Sequence, residues 1–257
     1  MINKPRIARK NFNTPFLHVM VQGVNKEYIF YKKEYIKKYL EIFRETKKDY
    51  DLEILAYCIM NNHAHFLVHT KDIEKFGKFM QRINLLYAQM YNKKENRCGV
   101  LFRNRYKSEP IYDIKYLINC IKYIHDNPVK AQMVLNCGDY EFSSYNDYIK
   151  NEGPTRYRIM KEIFGENCDY AKLFEQSFAK RFMDTEDENE ETINSYVLEG
   201  IREFKKEFCL DTVKILSDRE IFKKLIIFLK KNCGLKYIEI SKFFEISRGS
   251  MQKLKIK

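Results

Sequence analysis

Two apolar runs of strand length, ILAYCIM (54–60) and HAHFLVHT (63–70), stand on either side of Asn61-Asn62. Such a pair reads as a β-hairpin, because asparagine tolerates tight turns, including left-handed backbone angles. A lone hairpin cannot bury its apolar face, so neighbouring segments must complete a sheet and cover it. Residues 16–24, FLHVMVQGV, supply a strand ending at Gly23. Residues 31–48 carry a lysine-rich helical pattern with Tyr35, Ile36, Tyr39, Leu40 and Phe43 on one stripe. Residues 72–91 form a second amphipathic helix, and GVLFRNRYKS (99–108) a loop leading into a basic strand. Residues 113–126 form a third helix, stopped by Pro128. Strand, helix, two strands, helix, strand, helix is an α+β pattern: an antiparallel sheet with helices packed against it.

The pattern ends near residue 150, so residues 1–150 form one domain. Residues 151–195 read as a helical and acidic linker, with DTEDENEE at 184–191 as an exposed, self-repelling run. Residues 196–257 read as an all-α region. There SDREIFKKLIIFLKKNC (217–233) is a helix closed by Gly234. YIEISKFF, the turn EIS and RGSMQKLK then make a helix-turn-helix candidate with Ser247 as N-cap. Its second helix would present Arg248, Gln252 and Lys253 to a DNA groove; the other reading is a plain helical hairpin.

Seven cysteines, an odd number with no CxxC pair, argue against a disulfide framework or a zinc knuckle and for reduced thiols in a cytoplasmic protein. No apolar run is long enough to span a membrane, and MINKPRIARKNFN lacks the apolar stretch of a signal peptide. The net charge of +12 is uneven. Residues 1–150 hold 26 Lys and Arg against 16 Asp and Glu, whereas residues 151–257 hold 21 against 19. The first part is therefore the one to meet a polyanion. Arg103, Arg105 and Lys107 alternate there, and either track a phosphate backbone or form a solvated edge.

His63 and His65 are two apart on a strand, so both imidazoles leave the same face and can reach one divalent ion. His69 shares that face but lies about 13 Å from His65 by strand rise. In the third helix Ile114, Leu117, Ile118, Ile121 and Ile124 make the apolar stripe. Tyr116, Cys120, Tyr123 and Asn127 line the other side, either as a solvated face or as a row that turns Tyr123 and Asn127 to a common point.

Taken together, MNNHAHFLV (60–68), FRNRYKS (102–108), YIHDNPVKAQMV (123–134) and FSSYNDY (142–148) resemble, in that order, segments of the Y1 transposase family. That family includes the IS200/IS605 transposases and the REP-associated tyrosine transposases, and the resemblance covers roughly residues 10–150. It implies a ferredoxin-like HUH palm, with the metal-binding histidines at His63 and His65 and the nucleophile at Tyr123 rather than Tyr116. It also implies a third ligand at Asn127, where IS200-type members often carry glutamine. Asn61 stands where the family commonly has proline, a departure that bears on the hairpin shape.

The implied activity is cleavage and rejoining of single-stranded DNA at or near hairpins. Tyr123 would attack a phosphate to give a 5′-phosphotyrosine, with Mg²⁺ or Mn²⁺ as Lewis acid. Ligand softness alone would favour zinc for a mixed N/O set. Single-stranded or hairpin DNA is the expected partner, and the protein is expected as a monomer or homodimer. The rival reading is a DNA-hairpin-binding regulator with little or no catalysis.

Overall fold

The structure is a computed structural model, in which residues 14–150, 158–175, 190–233 and 235–247 are described. Its sheet has β1 (Phe16–Gln22), β2 (Leu52–Ile59), β3 (His63–Thr70) and β4 (Lys107–Ile111), in the order β2-β3-β1-β4. All three neighbouring pairs are antiparallel. The expected α+β class holds: helix α1 (Lys33–Lys47) links β1 to β2, and α2 (Ile73–Lys94) links β3 to β4. β2 and β4 are edges. Pro110 sits in β4, where a missing N–H is tolerated.

Strand periodicity divides the sheet into two faces. One carries Leu17, Val19, Val21, Ala64, Phe66 and Val68, all buried. Phe66 stacks on Phe43 of α1 with ring centres 5.0 Å apart, and Phe43 meets Phe79 of α2 edge-on at 4.8 Å. Buried hydroxyls in this layer are bonded: Tyr39 donates to Asn84 Oδ1 (3.0 Å) and Tyr87 to the Ile29 carbonyl (2.6 Å). The predicted α1 stripe is the buried one, with Leu40 half-buried at its margin.

The hairpin turn at Asn61-Asn62 closes with a Met60 N–H to His63 C=O bond of 2.8 Å. Neither asparagine has positive φ, so their tolerance of left-handed geometry is not what the turn uses. They serve instead as hydrogen-bonding posts. The Asn61 carbonyl accepts from Phe30 N–H (2.8 Å) and the Asn62 carbonyl from Gly23 N–H (2.9 Å).

Helix α3 (Ile114–Lys130) starts at Asp113, whose carboxylate accepts from Tyr116 N–H at 2.6 Å. It corrects two expectations. First, it runs through Pro128 instead of stopping before it. Proline removes the N–H that Ile124 C=O would have accepted. Asn127 Nδ2 donates to that carbonyl at 3.4 Å, which offsets part of the loss. Second, Ile114 is exposed, while Tyr116, Cys120 and Tyr123 are buried. Of the two readings for that row, the solvated face falls for Tyr116, Cys120 and Tyr123, while Lys115, Lys122, Asp126 and Lys130 keep a polar side on the helix.

The segment FSSYNDY covers the free edge of β2. Ile59 N–H donates to Phe142 C=O (3.0 Å), Ser144 N–H to Tyr57 C=O (2.9 Å), and Tyr57 N–H to Ser144 Oγ (2.9 Å). Satisfying an edge in this way removes a template for foreign strands. Helix α4 (Tyr145–Ile149) follows, with the Tyr148 hydroxyl donating to Leu55 C=O.

The remaining helices are α5 (Arg158–Phe164), α6 (Tyr170–Glu175), α7 (Glu190–Phe208), α8 (Thr212–Ser217), α9 (Arg219–Asn232) and α10 (Tyr237–Phe243). By contacts the chain forms two compact units. One comprises the chain to Leu117 with Ile124–Cys168, the other Ile118–Tyr123 with the chain from Asp169. The second has its own core of Val197, Phe204, Leu225, Ile226, Leu229 and Ile240. A Cβ on Gly200 would meet Leu229 Cδ2 at 2.5 Å and Cys233 Sγ at 2.6 Å, so α7 and α9 pack at a distance only glycine allows. Asp218 caps α9 by accepting from Glu220 N–H and Ile221 N–H. Gly234, most of the acidic run and the second helix of the helix-turn-helix candidate, Arg248 included, lie outside the described residues. Among the described residues no helix is long and apolar enough to cross a membrane, and all seven cysteines are free thiols.

Candidate metal and phosphate site

The second face of the sheet is polar and yet largely buried. β1 places His18, Met20 and Gln22 on it, and β3 places His63, His65 and His69. Gln22 pairs with His63 and Met20 with His65. His63 and His65 come together as the sequence predicted, with ring centres 4.9 Å apart and planes at 88°. His69 packs on Phe16 at the far end of the face.

Each histidine of the pair has its Nδ1 engaged. His63 Nδ1 lies 2.6 Å from Asn62 Oδ1, and His65 Nδ1 lies 3.0 Å from His18 Nε2. An amide oxygen can only accept, so His63 Nδ1 carries the proton and its Nε2 has the lone pair. For His65 the same follows when His18 Nε2 is the acceptor. Nε2 is then the atom that each ring offers a cation. A bond from the other ring nitrogen is how proteins fix the tautomer and direction of a ligating histidine.

Burial keeps these rings neutral. It lowers His18 to about 3 and His63 to about 4, and holds His65 well below its usual range. The Lys130 ammonium, at the end of α3, pushes His65 in the same direction. The charge of Lys130 is thus felt at His65, and both belong to the same compact unit. His125 anchors the last turns of α3: its Nε2 lies 2.9 Å from Ser144 Oγ, and its ring packs edge-on against Tyr145 and Tyr148. These contacts give His125 a structural role.

Asn127 belongs to the same compact unit as the histidine pair. Its Nδ2 is given to Ile124 C=O, and the oxygen is the atom a hard cation takes. Tyr123 is 3% exposed and stands one helical turn before it. Cys58 pairs with His65 across β2, but burial raises its thiol and its Sγ contacts Met60 Sδ at 3.7 Å.

Two neutral imidazoles on one face would suit a divalent ion with positions left open to other ligands. Among the described residues no group of three His, Cys, Asp or Glu side chains could close a structural zinc site. The buried Gln22 amide, without a protein partner beside His63, is a further polar group that such an ion and its ligands would meet.

Arg103, Arg105 and Lys107 are all exposed. Lys107 opens β4, but Arg103 and Arg105 precede the strand and are not part of it. They sit in a bend that bonds back to β1, with Arg103 N–H donating to Gln22 C=O at 2.9 Å. A cavity of about 500 Å³ lies between this bend and α2, lined by Lys78, Gln81, Asn84, Asn104, Arg105 and Tyr106. Another, of about 570 Å³, adjoins Arg103, Arg105 and Ser108.

His18 and Gln22 were missed from the sequence. Their strand and face were legible; the pairing register that sets them beside His65 and His63 was not.

Residues 13–127 match the family model described as "Transposase IS200 like". The resemblance to IS200-like transposases drawn from the motifs is therefore shown, and the matched stretch holds the whole sheet, the histidine pair, Tyr123 and Asn127. The chain is also similar to a REP-associated tyrosine transposase. It is 28% identical over 166 residues to a Haemophilus influenzae protein so named, covering 60% of this chain and 88% of the other. Among solved structures, a REP-associated tyrosine transposase bound to a REP hairpin matches 59% of this chain and 89% of its own, with 19% identity and a TM-score of 0.49.

Proposed function

We propose that the protein is a single-tyrosine DNA transferase that cuts and rejoins single-stranded DNA at or near hairpins. The observation that carries this reading is the pair of imidazoles whose Nδ1 atoms are both occupied, His63 by Asn62 and His65 by His18. Such an arrangement presents two Nε2 lone pairs to one point, and burial keeps them unprotonated.

His63, His65 and Asn127 would hold Mg²⁺ or Mn²⁺. When bound, the ion supplies charge neutralisation at the scissile phosphate. His18 is a positioning residue: it holds the His65 ring through Nδ1 and does not touch the ion. Tyr123 is the nucleophile. Its phenolic oxygen attacks phosphorus, the P–O3′ bond breaks, and the phenol proton passes to solvent. The products are a 5′-phosphotyrosine and a free 3′-hydroxyl. Because the phosphodiester energy is kept, a 3′-hydroxyl can reverse the step on another strand. The name of the Haemophilus relative points to extragenic palindromes as the substrate class. Arg103, Arg105 and Lys107 then supply sequence-independent phosphate contacts, with Arg248 as a further DNA contact.

The test uses an oligonucleotide hairpin with single-stranded tails, taken from the DNA flanking the gene. With Mg²⁺ or Mn²⁺, the wild type should form a denaturation-resistant protein–DNA adduct and Tyr123→Phe should form none. An adduct that persists in Tyr123→Phe removes Tyr123 as nucleophile. Tight hairpin binding with no adduct from the wild type would favour a binding protein.

A further inference from the structure

Gln22 closes β1 as the cross-strand partner of His63, so its side chain shares a face with both histidines. It is 6% exposed, and neither Nε2 nor Oε1 has a partner within the protein. Neighbouring polar groups are matched: Asn62 with His63, His18 with His65, Ser144 with Tyr57. A buried amide with both ends unmade carries a desolvation cost that a leucine of similar size would avoid. The main chain holds it there. The Gln22 carbonyl accepts from Arg103 N–H, Gly23 N–H donates to Asn62 C=O, and a Cβ on Gly23 would run into the Glu27 carbonyl oxygen.

We propose that Gln22 is a phosphate-contacting residue of the cleavage site, an inference that rests on the reading above. Its Nε2 donates to a non-bridging oxygen of the phosphate held at His63 and His65. Its Oε1 accepts from the water shell of the divalent cation. An amide suits this place because it offers both a donor and an acceptor without a charge that would repel the strand or the ion. The basic bend at Arg103 enters beside it, so one strand of DNA would meet backbone-contacting cations and this amide in succession.

The test compares the full chain with Gln22→Leu. The melting temperature should stay level or rise. Affinity for the tailed hairpin oligonucleotide with Mg²⁺, measured by anisotropy in a Tyr123→Phe background, should fall about tenfold, the scale of one hydrogen bond to a charged group. Adduct formation on the otherwise wild-type chain should slow by at least about as much. Gln22→Glu keeps the shape but replaces the donor with a negative charge. It should bind the oligonucleotide at least as weakly as Gln22→Leu, and it decides the matter if Gln22→Leu fails to fold. Binding by either variant within about twofold of the unsubstituted chain overturns the proposal, as does a lowered melting temperature accompanying the loss. If no chain forms an adduct yet Gln22→Leu still weakens binding, the phosphate contact stands and the transferase reading falls.

Discussion

Leu17, Val19 and Val21 join Phe66 in the layer under α1 and α2, while their neighbours His18, Met20 and Gln22 leave the same strand for the histidine face. The first face is filled by rings in contact, and its Tyr39 and Tyr87 hydroxyls are bonded. The second buries His18, His65 and the Gln22 amide, and that amide has no partner among the described residues. A chain folding for stability alone would make both faces like the first. The difference teaches that one face is built for packing, while the other buries polar groups that packing alone does not call for.

Phe66→Ala breaks this comparison most severely. It should cost about 3–5 kcal/mol, as large aromatic truncations in a packed core do. Chemical denaturation checks this, and a loss below about 1 kcal/mol would mean the aromatic layer is not the stabilising one.

Acid separates the faces next. His18 and His63 are held neutral to about 3 and about 4 by burial, whereas an unfolded histidine titrates near 6.5. Between those values the unfolded chain binds protons that the native one does not. Stability therefore rises with pH in that window and is lost as pH falls from about 6.5. Each such histidine should contribute a slope of about 1.4 kcal/mol per pH unit in metal-free protein. Phe66→Ala should lower the whole curve at unchanged slope, and His18→Phe should reduce the slope. Denaturant titrations at several pH values measure both, and equal slopes in all three proteins would contradict the assignment.

Much of this was legible beforehand. The hairpin, the two crossover helices and the His63/His65 pair follow from period and turn residues alone. What was hidden depends on register or on compensation at a distance. That His18 reaches His65 diagonally, and Gln22 meets His63, is set by how β1 slides against β3. That α3 passes Pro128 depends on the Asn127 side chain bonding Ile124 C=O. Whether the row of Tyr116, Cys120 and Tyr123 met water or the interior stayed open, because the apolar ring and polar tip of tyrosine suit both. FSSYNDY gave no local sign that it would satisfy an edge strand.

The most direct test of the histidine face is anomalous scattering from crystals soaked in Mn²⁺. The account predicts one peak about 2 Å from Nε2 of both His63 and His65, with the Asn127 side-chain oxygen as the next protein ligand. A peak bound through Nδ1, or Mn²⁺ at saturating concentration bound only elsewhere, would contradict it.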